Sequence, residues 1–121
     1  MVDMSKLPYI IAVDFDGTLC EDAYPEIGKP KQDIIQVIKQ CKEEGCKIIL
    51  WTCRNREQLI HAVDWCMEQG LEFDAVNRNI PEVQELFEGD TRKVYANLYL
   101  DDKNVLLKEV IQIGVRNHNT R

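Results

Sequence analysis

Apolar residues along this chain fall into short unbroken runs, separated by stretches in which they recur at helical spacing. Tyr9 to Val13 reads Tyr-Ile-Ile-Ala-Val, apolar at every position, as a strand buried on both faces would be. It stops at Asp14. Gly17 to Lys29 is loop-like, punctuated by Gly17, Pro25 and Gly28, and Pro30 suits a first helical turn. Ile34, Val37, Ile38 and Cys41 then recur at helical spacing, predicting a helix that Gly45 can cap. Lys47 to Trp51, apolar from Ile48 onward, reads as the second strand, ending at Thr52. A second helix is predicted from about Asn55 to Gln69, with Leu59, Ala62, Val63, Cys66 and Met67 inward and Gly70 as its stop.

Phe73 to Val76 reads as a weaker third strand. Pro81 opens a short helix with Val83, Leu86 and Phe87 inward, ended by Gly89. Val94 to Leu100 predicts a fourth strand, ending at Asp101-Asp102. Val105 to Ile113 is a last apolar segment, helix or strand, before a polar tail at about 114–121. No repeat, low-complexity stretch or linker interrupts the pattern, so one domain over 1–121 is expected. Strands alternating with helices predict the α/β class: a three-layer, Rossmann-like parallel sheet with helices on both faces. Ligands of such sheets bind beyond the carboxyl ends of the strands. Asp14, Thr52, Asp101 and Asp102 stand at those ends and would converge on one rim.

Composition narrows the picture. A chain of 121 residues with 45% hydrophobic content supports one enzyme-sized core. The formal charge of −6 disfavours tight non-specific binding to nucleic acid, which needs a basic surface, although a local basic patch stays compatible with it. The five cysteines are odd in number and include no CxxC pair, against both a disulfide framework and a zinc ribbon. Cys41 and Cys66 fall on apolar helix faces and read as core. Reduced thiols, an N-terminus without a signal-peptide layout and no membrane-length apolar run lead us to expect a cytoplasmic protein with no membrane association.

The informative motif is Asp14-Phe15-Asp16-Gly17-Thr18, directly after a buried strand. By average composition this D-x-D-G-T pattern arises by chance in roughly one chain in a thousand of this length. Asp and Gly favour turns, so a plain strand-to-loop corner is the competing reading. Two acids at a strand end are costly without a cation or other partner, which favours a site. Cys53 has no partner base in the nearby sequence and reads as structural. His61 and His118 read as solvent-facing, and Trp51, Trp65 and Phe87 as core.

With Leu19, this segment resembles the first motif of the haloacid dehalogenase (HAD) superfamily of phosphatases and phosphotransferases. Ile48-Ile49-Leu50-Trp51-Thr52 is similar to the family's second motif, a Ser or Thr closing an apolar strand. Lys93, with Arg92 beside it, fits the third, and Leu98-Tyr99-Leu100-Asp101-Asp102 the fourth. The motifs occur in the family's order and bracket about ninety residues. The first is specific; the second and third are weak alone.

The resemblance implies a Mg²⁺-dependent phosphatase. Asp14 would be the nucleophile that forms an aspartyl-phosphate, and Asp16 the general acid and then base. Thr52 would donate to a phosphoryl oxygen, and Lys93 would supply positive charge. The metal ligands implied are the Asp14 carboxylate, the Asp16 carbonyl and Asp101, with Asp102 as second choice. Arg54, Arg56 and Arg78 lie at or near strand ends, where any could hold an anionic substrate, Arg54 first among them. A phosphotransferase of the same chemistry, and a phospho-Asp signalling or binding domain with little turnover, are the alternatives. Receiver domains carry their acidic pair after the first strand and the phosphorylated Asp after the third, an order this chain does not follow.

Only about ten residues separate Thr18 from Pro30, and Val76 to Lys93 has room for one short helix. Neither length holds a cap domain. An open site implies either a macromolecular phosphorylated substrate or a homo-oligomer that lends a lid. The acidic charge slightly disfavours a polynucleotide.

Overall fold

Four strands, β1 (Ile10–Val13), β2 (Lys47–Leu50), β3 (Ala75–Val76) and β4 (Leu98–Leu100), pair as one sheet in a computed structural model that describes residues 4–103. The sheet is parallel throughout, in the order β3-β2-β1-β4. Three helices connect the strands: α1 (Gln32–Glu43), α2 (Arg56–Glu68) and α3 (Pro81–Phe87). A single 3₁₀ turn, Met4–Lys6, precedes β1. The apolar segment Val105 to Ile113, the tail after it and His118 lie outside the described residues.

Side chains alternate across the sheet and build two cores. Ile11, Val13, Ile48, Leu50 and Leu100 face α1 and α2, where Ile34, Ile35, Ile38, Cys41, Ala62 and Cys66 are buried. Ile10, Ala12, Ile49 and Ala75 face the other way, onto Ile80 and Val83 at α3 and onto Val94 and Ala96. Both faces are thus covered, which is why the central runs carry no polar alternation. This is the three-layer α/β architecture expected. Each fully buried isoleucine or leucine contributes about 1.5–3 kcal/mol, and β1 alone supplies four buried positions.

α1 and α2 end in the same way. Gly45 (φ 103°) and Gly70 (φ 84°) turn the chain left-handed. The next residue then donates back into the last turn: Cys46 N–H to Cys41 O at 2.9 Å, and Leu71 N–H to Cys66 O at 2.8 Å. That Schellman geometry satisfies carbonyls the helix would leave open and buries Cys46 and Leu71 beneath the turn.

Two expectations need correction. Met67 and Phe87 are not inward: they are 62% and 41% exposed, because Ala62 and Cys66 define a narrower buried stripe on α2 and Val83 alone is buried on α3. Trp51 and Trp65, expected in the core, are partly buried and pack against its two clusters. Trp65 meets Phe15 edge-on at 5.5 Å, whereas Trp51 opens onto the rim.

The edge strands are also shorter than their apolar runs, and side chains explain why. Ahead of β4, Asn97 N–H donates to Ile10 O while Asn97 Oδ1 accepts the Ile10 N–H, both at 2.8 Å. Ahead of β3, Asp74 N–H donates to Ile48 O and Asp74 Oδ2 accepts the Ile48 N–H, both again at 2.8 Å. In each case a side-chain oxygen replaces a ladder carbonyl and ends the regular pairing. Val94 to Asn97 is held by further side chains: Asn79 Oδ1 accepts the Tyr95 N–H, and Tyr99 Oη accepts the Ala96 N–H while donating to Val94 O.

Asn97→Ala should therefore leave the buried Ile10 N–H unpaired. We expect a loss of about 1–3 kcal/mol, read as a lower urea midpoint with an unchanged slope. A midpoint equal to that of the parent chain would contradict the side-chain ladder.

Candidate active site

Strand register brings the candidate residues together. Val13 lies opposite Leu50 in β2 and Leu100 in β4, so the chain leaves all three strands at one level. One more hydrogen bond extends each pairing: Asp14 N–H to Leu100 O at 3.0 Å, Trp51 N–H to Val13 O at 2.9 Å, and Asn77 N–H to Leu50 O at 2.8 Å. Above this edge lies a cleft of about 340 Å³ lined by Asp14, Trp51, Thr52, Cys53, Asn77, Arg92 and Asp101. A larger hollow of about 420 Å³, between α1 and the turn at Gly70, is lined by Lys39, Lys42, Glu43 and Glu72 and brings no comparable group of acids together.

Asp14, Asp101 and Asp102 form an acidic cluster, with one carboxylate oxygen from each within 4.8 Å of the others. All three are half-buried. Burial foremost, then the charges of Asp101, Asp102 and Asp16, pushes the Asp14 carboxyl up from its ordinary 3.8 to about 7, although the Phe15 N–H opposes the rise. A site that strains against its own negative charge in this way is suited to a cation. Three hard oxygen donors from two strand ends match the preference of Mg²⁺ or Ca²⁺ rather than of a thiolate- or imidazole-seeking metal. Backbone bonds hold the cluster: Lys103 N–H donates to Asp101 Oδ1 at 2.8 Å.

Gly17 makes that arrangement possible. Its φ is 87°, and a Cβ built there would collide with Asp102 Oδ2 and stand 2.7 Å from its Cγ. Glycine is thus needed both for the turn and for the approach of the acid. Lys31 Nζ donates to Gly17 O at 2.9 Å and anchors the same turn from the head of α1.

The remaining expected residues separate. Thr52 lines the cleft; its Oγ1 accepts the Arg54 N–H at 3.1 Å, which leaves the hydroxyl proton to donate elsewhere. Arg54, expected to meet substrate, is instead 2% exposed. Its Nε and Nη2 grip the two oxygens of Asp16, both at 2.8 Å. Asp16 is accordingly turned toward Arg54 and is not among the residues lining the cleft.

Lys93 also stands elsewhere: its Nζ lies 5.5 Å from the Tyr99 ring centre, in a groove with Phe87 and Tyr95, and Arg92 lines the cleft in its place. Arg56 and Arg78 are exposed and line no part of the cleft, and His61 is exposed.

Asn77 was missed by sequence reasoning. It has φ 53°, and its Oδ1 accepts the Thr52 N–H at 2.8 Å, leaving its amide protons available. Its signal was a left-handed-tolerant residue directly after a predicted strand end. Cys53 lines the cleft with an exposed side chain and no catalytic partner.

The proton balance yields a test. Between pH 3.8 and about 7 the native chain holds a proton on Asp14 that the unfolded chain has lost. Stability of the metal-free protein should therefore fall as pH rises through that window. Added Mg²⁺ should raise the Tm more at pH about 8 than at pH about 5, where protons compete for the same oxygens. Gly17→Ala should forfeit most of that gain. A Mg²⁺ effect independent of pH, and intact in Gly17→Ala, would contradict this reading.

Comparison with known proteins agrees with the geometry. A family model described as haloacid dehalogenase-like hydrolase matches residues 11–79, which include the Asp14 motif and Thr52. The solved structure of a conserved protein from Bacteroides thetaiotaomicron is 36% identical, over 92% of this chain and 93% of that one, with a TM-score of 0.79. No curated protein matches. With more than half of its length matched by the family model, and with the expected acids gathered at the carboxyl edge of a parallel sheet, the chain belongs to the haloacid dehalogenase-like hydrolases.

Proposed function

We propose that this hydrolase is a Mg²⁺-dependent phosphatase that cleaves phosphate monoesters through an aspartyl-phosphate on Asp14. The observation that carries this reading is the meeting of Asp14 with Asp101 and Asp102 beside Thr52 at one sheet edge. Mg²⁺ would be held by these carboxylates and the Asp16 carbonyl, and would supply the positive charge that lets an anionic nucleophile approach an anionic ester.

Asp14 attacks phosphorus, forming the Asp14–phosphorus bond as the bond to the leaving oxygen breaks. Asp16 gives the leaving oxygen its proton. Water then attacks the aspartyl-phosphate, Asp16 takes back a proton, and inorganic phosphate leaves with Asp14 restored. The Thr52 hydroxyl donates to a phosphoryl oxygen, and Arg92 replaces Lys93 as the cation beside the phosphate, because Arg92 is the one that lines the cleft.

Two features bear on partners and place. The segments after β1 and between β3 and β4 carry no inserted domain, so the cleft is open. That favours a bulky phosphorylated substrate, or a second copy acting as lid. All five cysteines are free, which suits a reducing cytoplasm. No helix among the described residues is long and apolar enough to cross a membrane.

Phosphate release from a panel of esters should require Mg²⁺ and vanish in Asp14→Asn. Arg92→Ala should raise KM and lower kcat more than Lys93→Ala does. Release that persists in Asp14→Asn would end the covalent mechanism.

A further inference from the structure

Arg54 is a charge buried beside the site that the reaction as described does not use. All five of its N–H donors are engaged. Nε and one Nη2 proton hold Asp16. The other Nη2 proton goes to Glu26 O at 2.7 Å, and Nη1 donates to Pro25 O at 3.1 Å and to Gln58 O at 3.4 Å. The guanidinium carbon lies 4.9 Å from the centre of the Phe15 ring and 5.1 Å from that of Tyr24. One residue thus joins the turn after β1, the loop carrying Tyr24 to Glu26, and the first turn of α2. It has no donor left for a substrate, so any effect on the reaction passes through what it holds.

We propose that Arg54 is a positioning residue for proton transfer: it fixes both oxygens of Asp16, two residues along the turn from Asp14, and clamps the Tyr24–Glu26 loop against them. The inference rests on the phosphatase reading, in which Asp16 serves the leaving oxygen. A lone aspartate at a turn can sample several side-chain rotamers. A proton donor must reach within hydrogen-bond distance of the oxygen it serves, and misplacement by about 1 Å costs on the order of 10²-fold. A planar fork that takes one lone pair from each oxygen stops that sampling and leaves other lone pairs able to carry a proton. Lysine, a single point charge, cannot hold both oxygens and the two loop carbonyls together.

The test compares two esters in the full chain with Mg²⁺. p-Nitrophenyl phosphate releases a phenolate that needs little help from an acid; glycerol 2-phosphate releases an alkoxide that needs a proton. Arg54→Gln and Arg54→Lys should slow the glycerol ester about 10²-fold or more, as Asp16→Asn does, and the nitrophenyl ester by less than about tenfold. The double variant Asp16→Asn/Arg54→Gln should be no slower on the glycerol ester than Asp16→Asn alone. Equal losses on both esters would mark Arg54 as merely structural. Unchanged or faster turnover of the glycerol ester, or additive losses in the double variant, would likewise overturn the proposal.

Because Arg54 is buried, Arg54→Gln is checked by its melting curve. A second measurement holds if it does not fold: the Arg54 Nε–H NMR signal should exchange slowly in the parent chain and shift in Asp16→Asn, and an unmoved signal refutes the clamp. Parent chain that releases no more phosphate than Asp14→Asn would instead refute the phosphatase reading itself, a result separate from the NMR outcome.

Discussion

Everything at this site depends on the repulsion between carboxylates brought to the same edge of a parallel sheet. Val13 opposite both Leu50 and Leu100 sets Asp14 level with Asp101, and the left-handed turn at Gly17 admits Asp102 to the same space. Such a cluster costs free energy in the empty protein, and the elevated Asp14 carboxyl records that cost. The two cores beneath the edge offset it: apolar side chains buried on both faces of β1 and β2 hold the strand ends where unsupported acids would drift apart.

A second charge balance lies beside the first. Asp16 belongs to the same short turn as Asp14, yet it meets a fully bonded, buried arginine rather than the acidic cluster. The turn therefore sends two aspartates into opposite environments, one strained by like charge and one neutralised by a bidentate partner. That division separates the two carboxylates in space, one facing the acidic cluster and one facing Arg54. It also links the loop over Pro25 to the chemistry, since the guanidinium binds that loop and Asp16 at once.

Much of this was legible in the residues. The apolar runs gave β1, β2 and the faces of α1, because a strand covered on both sides and an amphipathic helix each have a period that sequence displays. Gly45 and Gly70 marked helix ends because only residues tolerant of positive φ close a Schellman turn cheaply. The strand-end rule then placed Asp14, Thr52 and Asp101 on one rim. Less legible were the edge strands. Apolar pattern alone extended them through Val94 and Phe73, while Asn97 and Asp74, by offering side-chain oxygens to the neighbouring strand, ended them later. Nor did the pattern show that Lys93 stands on the Tyr99 side while Arg92 lines the cleft.

By itself, then, the order of residues determined the layer architecture and which acids would stand at strand ends, since both follow from local periodicity and burial. Which charged side chain meets which was decided only by tertiary structure. Arg54 is 38 residues from Asp16, and a guanidinium at the head of α2 could as well have reached solvent or a phosphate. Its five donors found Asp16 and three carbonyls because the packing of a loop, a turn and a helix brought those acceptors together, a long-range coincidence that no local pattern encodes.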